Sequence, residues 1–450
     1  MNQNSADKPK KRWYVKLEVF RIKLDKRKII LFLGGVMLFG LLIRLLFGYY
    51  KVHYFDVDYY IDWSKSVVND GIFAAYRNLG DRLDYPPVFL FFLYPTGWMM
   101  NTPAIYDFEP YRMLALKMVQ IAFDVATIPL IYMVLQKQNK IPALLAASVW
   151  ALNPAMIFNC GVWGQTDSLM IFFLLLSFWL LEQDKPVAAT IVFAIAGLTK
   201  FQSLYFAPVF LLFLFYKRNI KKSLLAFGAG IGTGILIFLP FMFYSGVTLP
   251  FEVYLGGLGK WTNLTFNAFN FYAALGWNNI SDSTELFPGF PVGVISTILL
   301  IACVVIIVLL FLRAPLKCPW LLAFLCMNSI FMFGGRMHER YQVPVLIFLL
   351  IAAARHHSGR LFGGFIGIAA VSFFNQFFLF DYICTYQQTA WAPYYSTIVV
   401  IISIVNLILY ALTLYFSLKI MFQKPSETAS PAALDHTVGI LPPTENSISE

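Results

Sequence analysis

Long apolar runs alternate with short polar connectors along almost the whole chain. The first run, 29–47, is followed by a polar stretch at 49–87. Further apolar runs lie at 88–100, 114–135, 141–159, 169–181, 187–198, 204–216, 224–244, 292–312, 320–333, 343–354, 361–380 and 396–422. A helix needs roughly 20 apolar residues to cross about 30 Å of hydrocarbon. The pattern predicts an all-α fold, a polytopic transmembrane helix bundle with roughly 12 or 13 spans, some of them short or re-entrant.

Composition supports a membrane protein and excludes an ordinary soluble domain. Hydrophobic residues make up 59% of the 450 residues and charged residues only 13%, and the mean hydropathy is +0.67. The net charge of +10 is compatible with nucleic-acid binding. However, the basic residues form short clusters between apolar runs, such as Lys217-Arg218 and Lys221-Lys222, which is typical of cytoplasmic loops. We therefore expect no nucleic-acid partner.

Three segments follow from the same pattern. Residues 1–28 are expected to form a basic cytoplasmic N-terminal segment. Residues 29–422 are expected to form one transmembrane catalytic domain, with a first external loop at 49–87 that carries surface helices and a long external loop at 245–291. Residues 423–450 are rich in Pro, Ser, Thr and Glu, which predicts a disordered cytoplasmic tail.

The basic connectors predict the topology. Those at 137–140, 185, 216–222, 313–317 and 355–360 fall on one side if the intervening runs cross in pairs, and the polar motifs then share the other side. The run 88–100 disturbs this count because, as a full crossing, it inverts everything that follows. Two explanations keep the positive-inside assignment: either 88–100 is re-entrant, or another apparent loop is buried.

The first polar motif is YFDVDYYIDWSKS, which follows the first span. Val57, Ile61 and Val68 recur at helical spacing, and this predicts an amphipathic helix on the membrane surface. Asp56 is expected before that helix or as its cap. Asp58 shares a face with Asp56 only if the chain is extended there, and only then do the two carboxylates act as base and partner or as metal ligands.

Two further motifs interrupt apolar sequence on the predicted external side. In VWGQTDS, Gln165 and Asp167 follow a tryptophan of the kind that often anchors a helix at the interface, and a helix-capping role for Asp167 is also compatible with the pattern. In LTKFQS, Lys200 and Gln202 lie at a helix end. Lys200 either extends to the interface or binds an anion.

The most densely charged motif is GGRMHERYQVP at 334–344. It places Arg336, His338, Glu339 and Arg340 within five positions between two apolar runs. Arginine and histidine here favour an anionic group, and phosphate matches the planar fork of arginine. Binding of anionic lipid headgroups is the alternative.

The long external loop combines aromatic residues with asparagines, including Asn267 and Asn270. Amides beside aromatic faces suit sugar hydroxyls and C–H faces, although the same composition also suits a loop lying on the bilayer.

Taken together, the ordered motifs resemble the GT-C superfamily of membrane glycosyltransferases, bacterial mannosyltransferase-like members in particular. The motifs that carry the resemblance are Asp56 seven residues before Trp63, Asp84-Tyr85-Pro86-Pro87, Asn153-Pro154, Trp163-Gly164-Gln165-Thr166-Asp167, Lys200-Phe201-Gln202, Asn267-Ala268-Phe269-Asn270 and Met337-His338-Glu339-Arg340-Tyr341. We expect no large soluble domain after the last span, unlike in oligosaccharyltransferases.

The resemblance implies a hexosyltransferase that moves mannose or glucose, with inversion, from a polyprenyl-phosphate donor to a glycan, lipid or protein hydroxyl outside the cytoplasm. Asp56 would be the catalytic base, with Asp58 as a second carboxylate. The donor phosphate would lie at His338, Arg340, Arg336 and Lys200. The sugar or acceptor would be positioned by Gln165, Asp167, Gln202, Glu339, Asn267 and Asn270.

We expect no required cofactor, since an Asp-x-Asp pair is a weak metal signal, although a divalent metal is compatible with it. The expected location is the plasma membrane of a bacterium as a multi-pass protein, with the endoplasmic reticulum as the alternative. A transporter or a lipid-linked sugar flippase is the alternative function. It would place ionisable groups along a path through the bilayer, whereas here most polar motifs gather at one face.

Overall fold

The computed structural model describes residues 25–50, 54–385 and 387–423. Most of the predicted N-terminal segment, 1–28, and nearly all of the predicted tail, 423–450, lie outside the described residues.

The longer α-helices are α1 (Lys26–Tyr50), α2 (Tyr54–Ser66), α3 (Pro87–Met100), α4 (Glu109–Leu135), α5 (Lys140–Ala151), α6 (Asp167–Glu182), α7 (Pro186–Thr199), α8 (Ala207–Phe215), α9 (Ile220–Ser245), α10 (Leu249–Lys260), α11 (Val292–Arg313), α12 (Pro319–Phe333), α13 (Val345–Arg355), α14 (Gly359–Cys384) and α15 (Tyr395–Met421). Short α-helical turns occupy Ala75–Leu79, Pro103–Tyr106, Pro154–Met156 and Phe271–Ala274. π-helical turns occupy Val67–Gly71 and Ile157–Trp163, and 3₁₀ turns occupy Ile72–Ala74, Gly80–Arg82, Phe201–Phe206 and Ala392–Tyr394.

Strands are short and lie in the long external loop and beside it. Strand β1 (Thr265–Phe266) pairs in parallel with β4 (Met337–His338). Strand β2 (Glu285–Phe287) pairs antiparallel with β3 (Phe290–Pro291). Seven of the described helices are long and apolar enough to cross a membrane, and the chain adds five shorter apolar helices. The predicted all-α, polytopic class is confirmed.

The basic connectors meet at one end of the bundle. Direct contacts join them: Lys137 Nζ to Gln183 Oε1 (2.6 Å), Arg218 Nε to Asp184 Oδ1 (3.0 Å), Arg355 Nη1 to Glu182 Oε1 (2.6 Å) and Leu316 N to Met421 O (3.1 Å). Helix α6 leads from this end to the polar motifs, because it ends at Glu182 and begins at Asp167. The bundle thus has a basic end and, at the other end of α6, an end that carries the polar motifs.

Helix α3 does not lead to the basic end. Tyr85, just before α3, lies among the polar motifs, and Asn101, just after it, donates to Asn69 Oδ1 of the first external loop (2.6 Å). The next helix, α4, also begins on this side, since Lys117 Nζ donates to Gly48 O near the end of α1 (3.1 Å). Both ends of α3 therefore lie with the first external loop, as expected for a re-entrant segment.

With α3 set aside, the remaining helices alternate between the two ends. Within the described ranges 25–50, 54–385 and 387–423, twelve helices run from one end of the bundle to the other: α1, α4, α5, α6, α7, α8, α9, α11, α12, α13, α14 and α15. This number agrees with the lower value of the predicted count. With twelve traversals, every basic connector lies at the same end of the bundle, as the charge pattern predicts.

Helices α2 and α3 pack together in an apolar cluster that also includes residues of α4, α6, α7 and α9. Val57, Tyr60 and Trp63 of α2 are buried against α3, whereas Ile61 is only half-buried, so the buried face differs from the predicted one. Gly97 of α3 allows this packing, because a Cβ atom added there would lie 1.9 Å from Ser64 O.

Two charges inside the early spans neutralise each other. Arg44 of α1 and Asp124 of α4 form a fully buried ion pair, with Nη2 and Oδ2 2.6 Å apart. Asp124 also accepts from Trp150 Nε1 (3.0 Å), and Arg44 Nη1 donates to Ala151 O (2.9 Å). The pair therefore joins α1, α4 and α5 and serves the packing of the bundle.

Candidate active site

A cavity of about 790 Å³ opens at the bundle end that carries the polar motifs. Most of the predicted site residues line it: Asp56, Gln165, Lys200, Gln202, Asn267, Arg336, His338, Glu339 and Arg340. Asp58, Asp167 and Asn270 do not. The cavity therefore brings these predicted residues together from five separate stretches of the chain.

Asp56 lies in the first turn of α2, and its carboxylate is held from across the cavity. Trp163 Nε1 and Gln165 Nε2 both donate to Asp56 Oδ2, at 2.7 and 2.5 Å. Gly164 makes this double contact feasible. It adopts a left-handed conformation, with φ of 85°, where the π-helical turn ends, and the chain reverses between the two donors.

Asp58 is two residues further along the same helix and points away. The chain is already helical at Tyr54, so residues i and i+2 lie roughly 200° apart around the axis. Asp58 is exposed and outside the cavity. The extended approach that would bring both carboxylates together does not occur, and the expected second carboxylate is not at the site.

Asp167 supports the cavity from behind. Its Oδ1 lies 2.6 Å from Lys200 Nζ, and its Oδ2 accepts from Asn159 Nδ2 at 3.0 Å. The Asp167 and Lys200 side chains are only 1% and 4% exposed. Lys200 reaches the cavity wall, so Asp167 positions the lysine instead of lining the cavity itself, which differs from its expected contact with sugar or acceptor.

The 334–344 motif is attached to the long external loop through the β1–β4 pair, which aligns Phe266 with His338. The Phe266 ring stacks on the His338 ring, with centroids 4.9 Å apart and planes 8° from parallel. Trp261 meets the same imidazole edge-on at 5.5 Å. His338 is thus enclosed by aromatic rings on one side while it lines the cavity.

Burial lowers the pKa of His338 below its ordinary value, although the neighbouring Glu339 opposes this. The imidazole is therefore mainly neutral near pH 7 and acts as a hydrogen-bonding group. At the predicted phosphate site His338 therefore offers a hydrogen bond and little positive charge. The physical reason is the loss of water around the ring.

Glu339 and Arg340 form a close pair in the same wall, with Glu339 Oε1 and Arg340 Nη1 2.5 Å apart. Burial raises the pKa of Glu339, but Arg340 and His338 outweigh it and lower that pKa to about 2. Burial likewise opposes the charge on Arg340, yet Glu339, Tyr341 and Asp56 together raise its pKa. Arg340 therefore stays cationic, and its Nε makes no hydrogen bond to the described residues.

Arg336 is also on the wall, but an acidic partner engages it. Its Nη2 and Nε donate to Asp282 Oδ2 of the long external loop at 2.6 and 2.9 Å. Arg336 adopts φ of 62°, and its backbone N–H donates to Leu264 O at 2.9 Å. Arg336 thus attaches the long external loop to the cavity wall. Because Asp282 offsets its charge, Arg336 offers less positive charge to a phosphate than the sequence predicts.

The two asparagines of the long external loop differ. Asn267 lines the cavity, but its Oδ1 accepts from Asn278 Nδ2 at 2.9 Å and its carbonyl from Asn375 Nδ2 at 2.5 Å. Asn270 is fully buried and caps a short helical turn through Ala273 N at 3.2 Å. Asn270 therefore shapes the loop and is not at the site, contrary to the expectation.

The amide oxygens Gln165 Oε1 and Gln202 Oε1 are buried and make no hydrogen bond to the described residues, although both residues line the cavity. Such groups are costly to bury alone, so they are well suited to a ligand hydroxyl. Among the described residues, no group of three or more His, Cys, Asp or Glu side chains is arranged to hold a metal ion.

Several site residues escaped the sequence analysis. Trp163 resembled an interfacial anchor, yet its indole holds Asp56. Tyr60 and Tyr85, with ring centroids 6.4 Å apart, form an aromatic wall below the carboxylate. Asp282 lies in a polar loop without any motif. The Asp84-Tyr85-Pro86-Pro87 motif was the available sequence signal for Tyr85, but it gave this tyrosine no role.

A sequence model of glycosyltransferase family 87 matches residues 83–334, more than half of the chain. The chain belongs to glycosyltransferase family 87. Membership of family 87 makes the protein a glycosyltransferase, which acts on a sugar donor and an acceptor, and its apolar helices place it in a bilayer. No curated protein matches the chain. A family 87 enzyme transfers sugar, so the transporter and flippase alternatives find no support.

The match to family 87 covers Gln165, Lys200 and the long external loop, and it ends before His338. Asp56 precedes the matched segment. The placement of Asp56 and His338 in the cavity therefore comes from the geometry alone.

Proposed function

We propose that this family 87 protein transfers a hexose, mannose or glucose, from a polyprenyl-phosphate donor to an acceptor hydroxyl outside the cytoplasm, in the synthesis of a cell-envelope glycan, glycolipid or glycoprotein. One observation carries the proposal: a single cavity has a carboxylate, Asp56, and the cations Lys200 and Arg340 in its walls. A carboxylate suits proton removal, and clustered cations suit a phosphate leaving group.

Asp56 is the base in this proposal. Its carboxylate accepts the proton of the acceptor hydroxyl while that oxygen forms a bond to the anomeric carbon of the donor sugar. The bond from the anomeric carbon to the phosphate oxygen breaks, and its electron pair remains on the phosphate. The hydrogen bonds from Trp163 and Gln165 support this role, because they hold the Asp56 carboxylate in one position in the cavity wall.

The leaving phosphate is stabilised by the opposite wall. Arg340 supplies a permanent charge and an Nε donor that makes no hydrogen bond to the described residues. Lys200 supplies an ammonium held by Asp167, and His338 supplies a hydrogen bond. Buried donors and cations that face developing negative charge are worth most where water is excluded. Because these groups exist in the protein, the reaction needs no divalent metal in this proposal.

The sugar itself would be held by amides. Gln165 Oε1 and Gln202 Oε1 lack partners among the described residues and are the natural acceptors for sugar hydroxyls. Glu339 and Asn267 lie in the same walls but are largely satisfied by Arg340 and Asn278. We therefore assign them to the shape of the site.

The location of the cavity supports a lipid-linked donor. The cavity lies at the end of the bundle opposite the basic connectors. The positive-inside rule assigns basic connectors to the cytoplasm, so in this proposal the cavity is at the extracytoplasmic face. A polyprenyl tail can stay in the bilayer while its phosphate reaches cations at this depth. In this proposal the protein is a multi-pass protein of a bacterial plasma membrane.

A transfer assay tests this function. Purified protein in lipid nanodiscs receives radiolabelled polyprenyl-phosphate-mannose or polyprenyl-phosphate-glucose, together with membrane acceptors. Asp56→Asn is expected to lower kcat by about 10² to 10⁴. Asp58→Asn is the matched control, since it makes the same change on the exposed face of α2, and it is expected to keep nearly full activity.

Two results would contradict the proposal. Full activity in Asp56→Asn would remove the assigned base. Absence of transfer by wild type from both donors, in nanodiscs where the protein is folded, would exclude these donors.

A further inference from the structure

Asn159 lies behind the site cavity, in the π-helical turn Ile157–Trp163. Its side chain is fully buried and does not line the cavity, so it touches neither substrate in the mechanism proposed above. Its backbone and its side chain nevertheless contact two different parts of the site. A residue in this place acts only through the groups that it holds.

The carbonyl oxygen of Asn159 holds the turn that carries the two donors to the proposed base. It accepts hydrogen bonds from Gly164 N at 3.0 Å and from Gln165 N at 2.9 Å. The chain reverses at these residues, and Trp163 and Gln165 both donate to Asp56. The backbone of Asn159 is therefore connected to the base through one hydrogen-bonded turn.

The side-chain amide of Asn159 holds the carboxylate that positions the proposed phosphate-binding lysine. Its Nδ2 atom donates to Asp167 Oδ2 at 3.0 Å. The other oxygen of this carboxylate, Oδ1, lies 2.6 Å from Lys200 Nζ. An ionised carboxylate only accepts hydrogen bonds, so the amide and the ammonium together orient it. The position of Lys200 thus depends on Asn159 through a single carboxylate.

Gln376 of α14 holds the Asn159 amide from the other side. Asn159 Nδ2 also donates to Gln376 Oε1, at 2.9 Å. Gln376 Nε2 donates to Ser372 O of its own helix at 3.1 Å, which keeps the oxygen of this amide towards Asn159. The Gln376, Asn159 and Asp167 side chains are at most 1% exposed. A buried chain of hydrogen bonds therefore runs from α14 to the lysine in the cavity wall.

The turn that carries Asn159 packs closely against α1. A Cβ atom added to Gly161 would lie 3.3 Å from Arg44 O, and one added to Gly48 would lie 3.3 Å from Gly161 O. Such close backbone contacts leave the turn little room to move relative to α1. The packing of the bundle therefore makes Asn159 a fixed point behind the site.

We propose that Asn159 is a positioning residue that keeps Lys200 in register with the base Asp56. This inference rests on the proposed function. In that reaction one oxygen attacks the anomeric carbon while another leaves it, so the base and the phosphate-binding cation must stand at a set separation. Asn159 links them, through its carbonyl to the turn that holds Asp56 and through its amide to the carboxylate that holds Lys200.

The test is a double-mutant cycle in nanodiscs, with the donor and acceptor that wild type uses. Asn159→Leu removes the amide and keeps the backbone carbonyl, so it is expected to lower kcat about tenfold with little change in the acceptor KM. The same substitution is then made in Lys200→Met/Asp167→Asn, which has no lysine left to position. There it should change kcat by less than about twofold, because a positioning residue has no effect once the group that it positions is gone.

Two further variants separate positioning from folding. Gln376→Met removes the partner of the Asn159 amide and should lower kcat severalfold, again only while Lys200 is present. Asn328→Leu is the matched control, since Asn328 is a fully buried asparagine of α12 outside the cavity. Any loss of kcat that it causes should be equal with and without Lys200. The apparent Tm of each variant is measured, so that loss of folded protein is not mistaken for a lower kcat.

The inference is overturned if Asn159→Leu lowers kcat by the same factor with and without Lys200, or if it leaves the kcat of an otherwise wild-type protein unchanged. If Asn159→Leu does not fold, Gln376→Met provides the same comparison. Absence of any transfer by wild type would instead count against the proposed function, so the two failures are distinguishable.

Discussion

The indole Nε1 of Trp163 donates a 2.7 Å hydrogen bond to Oδ2 of Asp56, a residue 107 positions earlier in the chain. This contact joins the first external loop to the turn between two spans. It turns an apparent interfacial anchor into the residue that holds the proposed base.

Trp163→Phe is therefore expected to lower kcat by about tenfold, because the ring remains while the hydrogen bond to Asp56 is lost and the carboxylate gains freedom. Donor KM should change little. The measurement is steady-state transfer in nanodiscs. Trp98→Phe is the control, since Trp98 is 67% exposed on α3. Equal kcat values for Trp163→Phe and Trp98→Phe would show that the hydrogen bond has no catalytic value.

His338 predicts a pH dependence of donor binding. Burial keeps the pKa of the free histidine below its usual value, and an anionic phosphate beside the ring favours the protonated form. Binding then takes up a proton, so the affinity for polyprenyl phosphate should rise as pH falls from 8 towards 6, by at most about tenfold per unit.

Neighbouring groups do not imitate this effect, because the pKa of Glu339 is about 2 and that of Arg340 is raised, so neither titrates in this interval. The lipid phosphate can also titrate in this interval, and His338→Gln is the control for that effect. The affinity of His338→Gln for the lipid phosphate should change less with pH than the affinity of wild type. If wild type and His338→Gln show the same pH dependence, the histidine does not contact the phosphate.

The buried ion pair between Asp167 and Lys200 predicts a stability pattern. Lys200→Met leaves a buried carboxylate without its cation, at a cost of about 3–5 kcal/mol. The double variant Lys200→Met/Asp167→Asn removes both charges and should recover much of the loss in apparent Tm. Asp62→Asn is the control, because Asp62 and Arg82 form an exposed pair worth at most about 1 kcal/mol. A double variant less stable than Lys200→Met would contradict this account.

Gly97 predicts a steric defect. A Cβ atom at Gly97 would lie 1.9 Å from the Ser64 carbonyl oxygen, so Gly97→Ala must separate α2 from α3 and displace Asp56. We expect a lower apparent Tm and loss of most of the transfer activity. Gly34→Ala is the matched control, since no atom lies within 4 Å of the added Cβ position. Wild-type behaviour of Gly97→Ala would show that α2 and α3 can separate without effect on the site.

Hydropathy predicted the helices well where one run made one helix. The run 292–312 corresponds to α11, Val292–Arg313. The run 141–159 does not form one helix. Helix α5 ends at Ala151 and a new helical turn begins at Pro154, because a proline ring disfavours a helical conformation in the residue before it. A π-helical turn then places Trp163 and Gln165 at the site, and no periodicity announces such a turn.

The sequence predicted which residues line the candidate site better than it predicted what each of them does there. Motif chemistry selected Asp56, Lys200 and Arg340, all of which line the cavity. It could not tell that α2 starts early enough to turn Asp58 outward, because the start of a helix depends on packing with α3. It also could not pair Arg336 with Asp282, since an ion pair between residues 54 positions apart leaves no local pattern.

The course of α3 has a consequence for how the chain is laid into the bilayer during synthesis. A short apolar helix whose two ends remain on one side must be accommodated without transfer of the following residues across the membrane. A hydropathy map that counts α3 as a span reverses the assigned side of each later connector, and the basic connectors would then be assigned to the side opposite the start of α1. The orientation assigned to the enzyme, and with it the side on which sugar transfer occurs, therefore depends on a helix of fourteen residues that keeps both of its ends on one side.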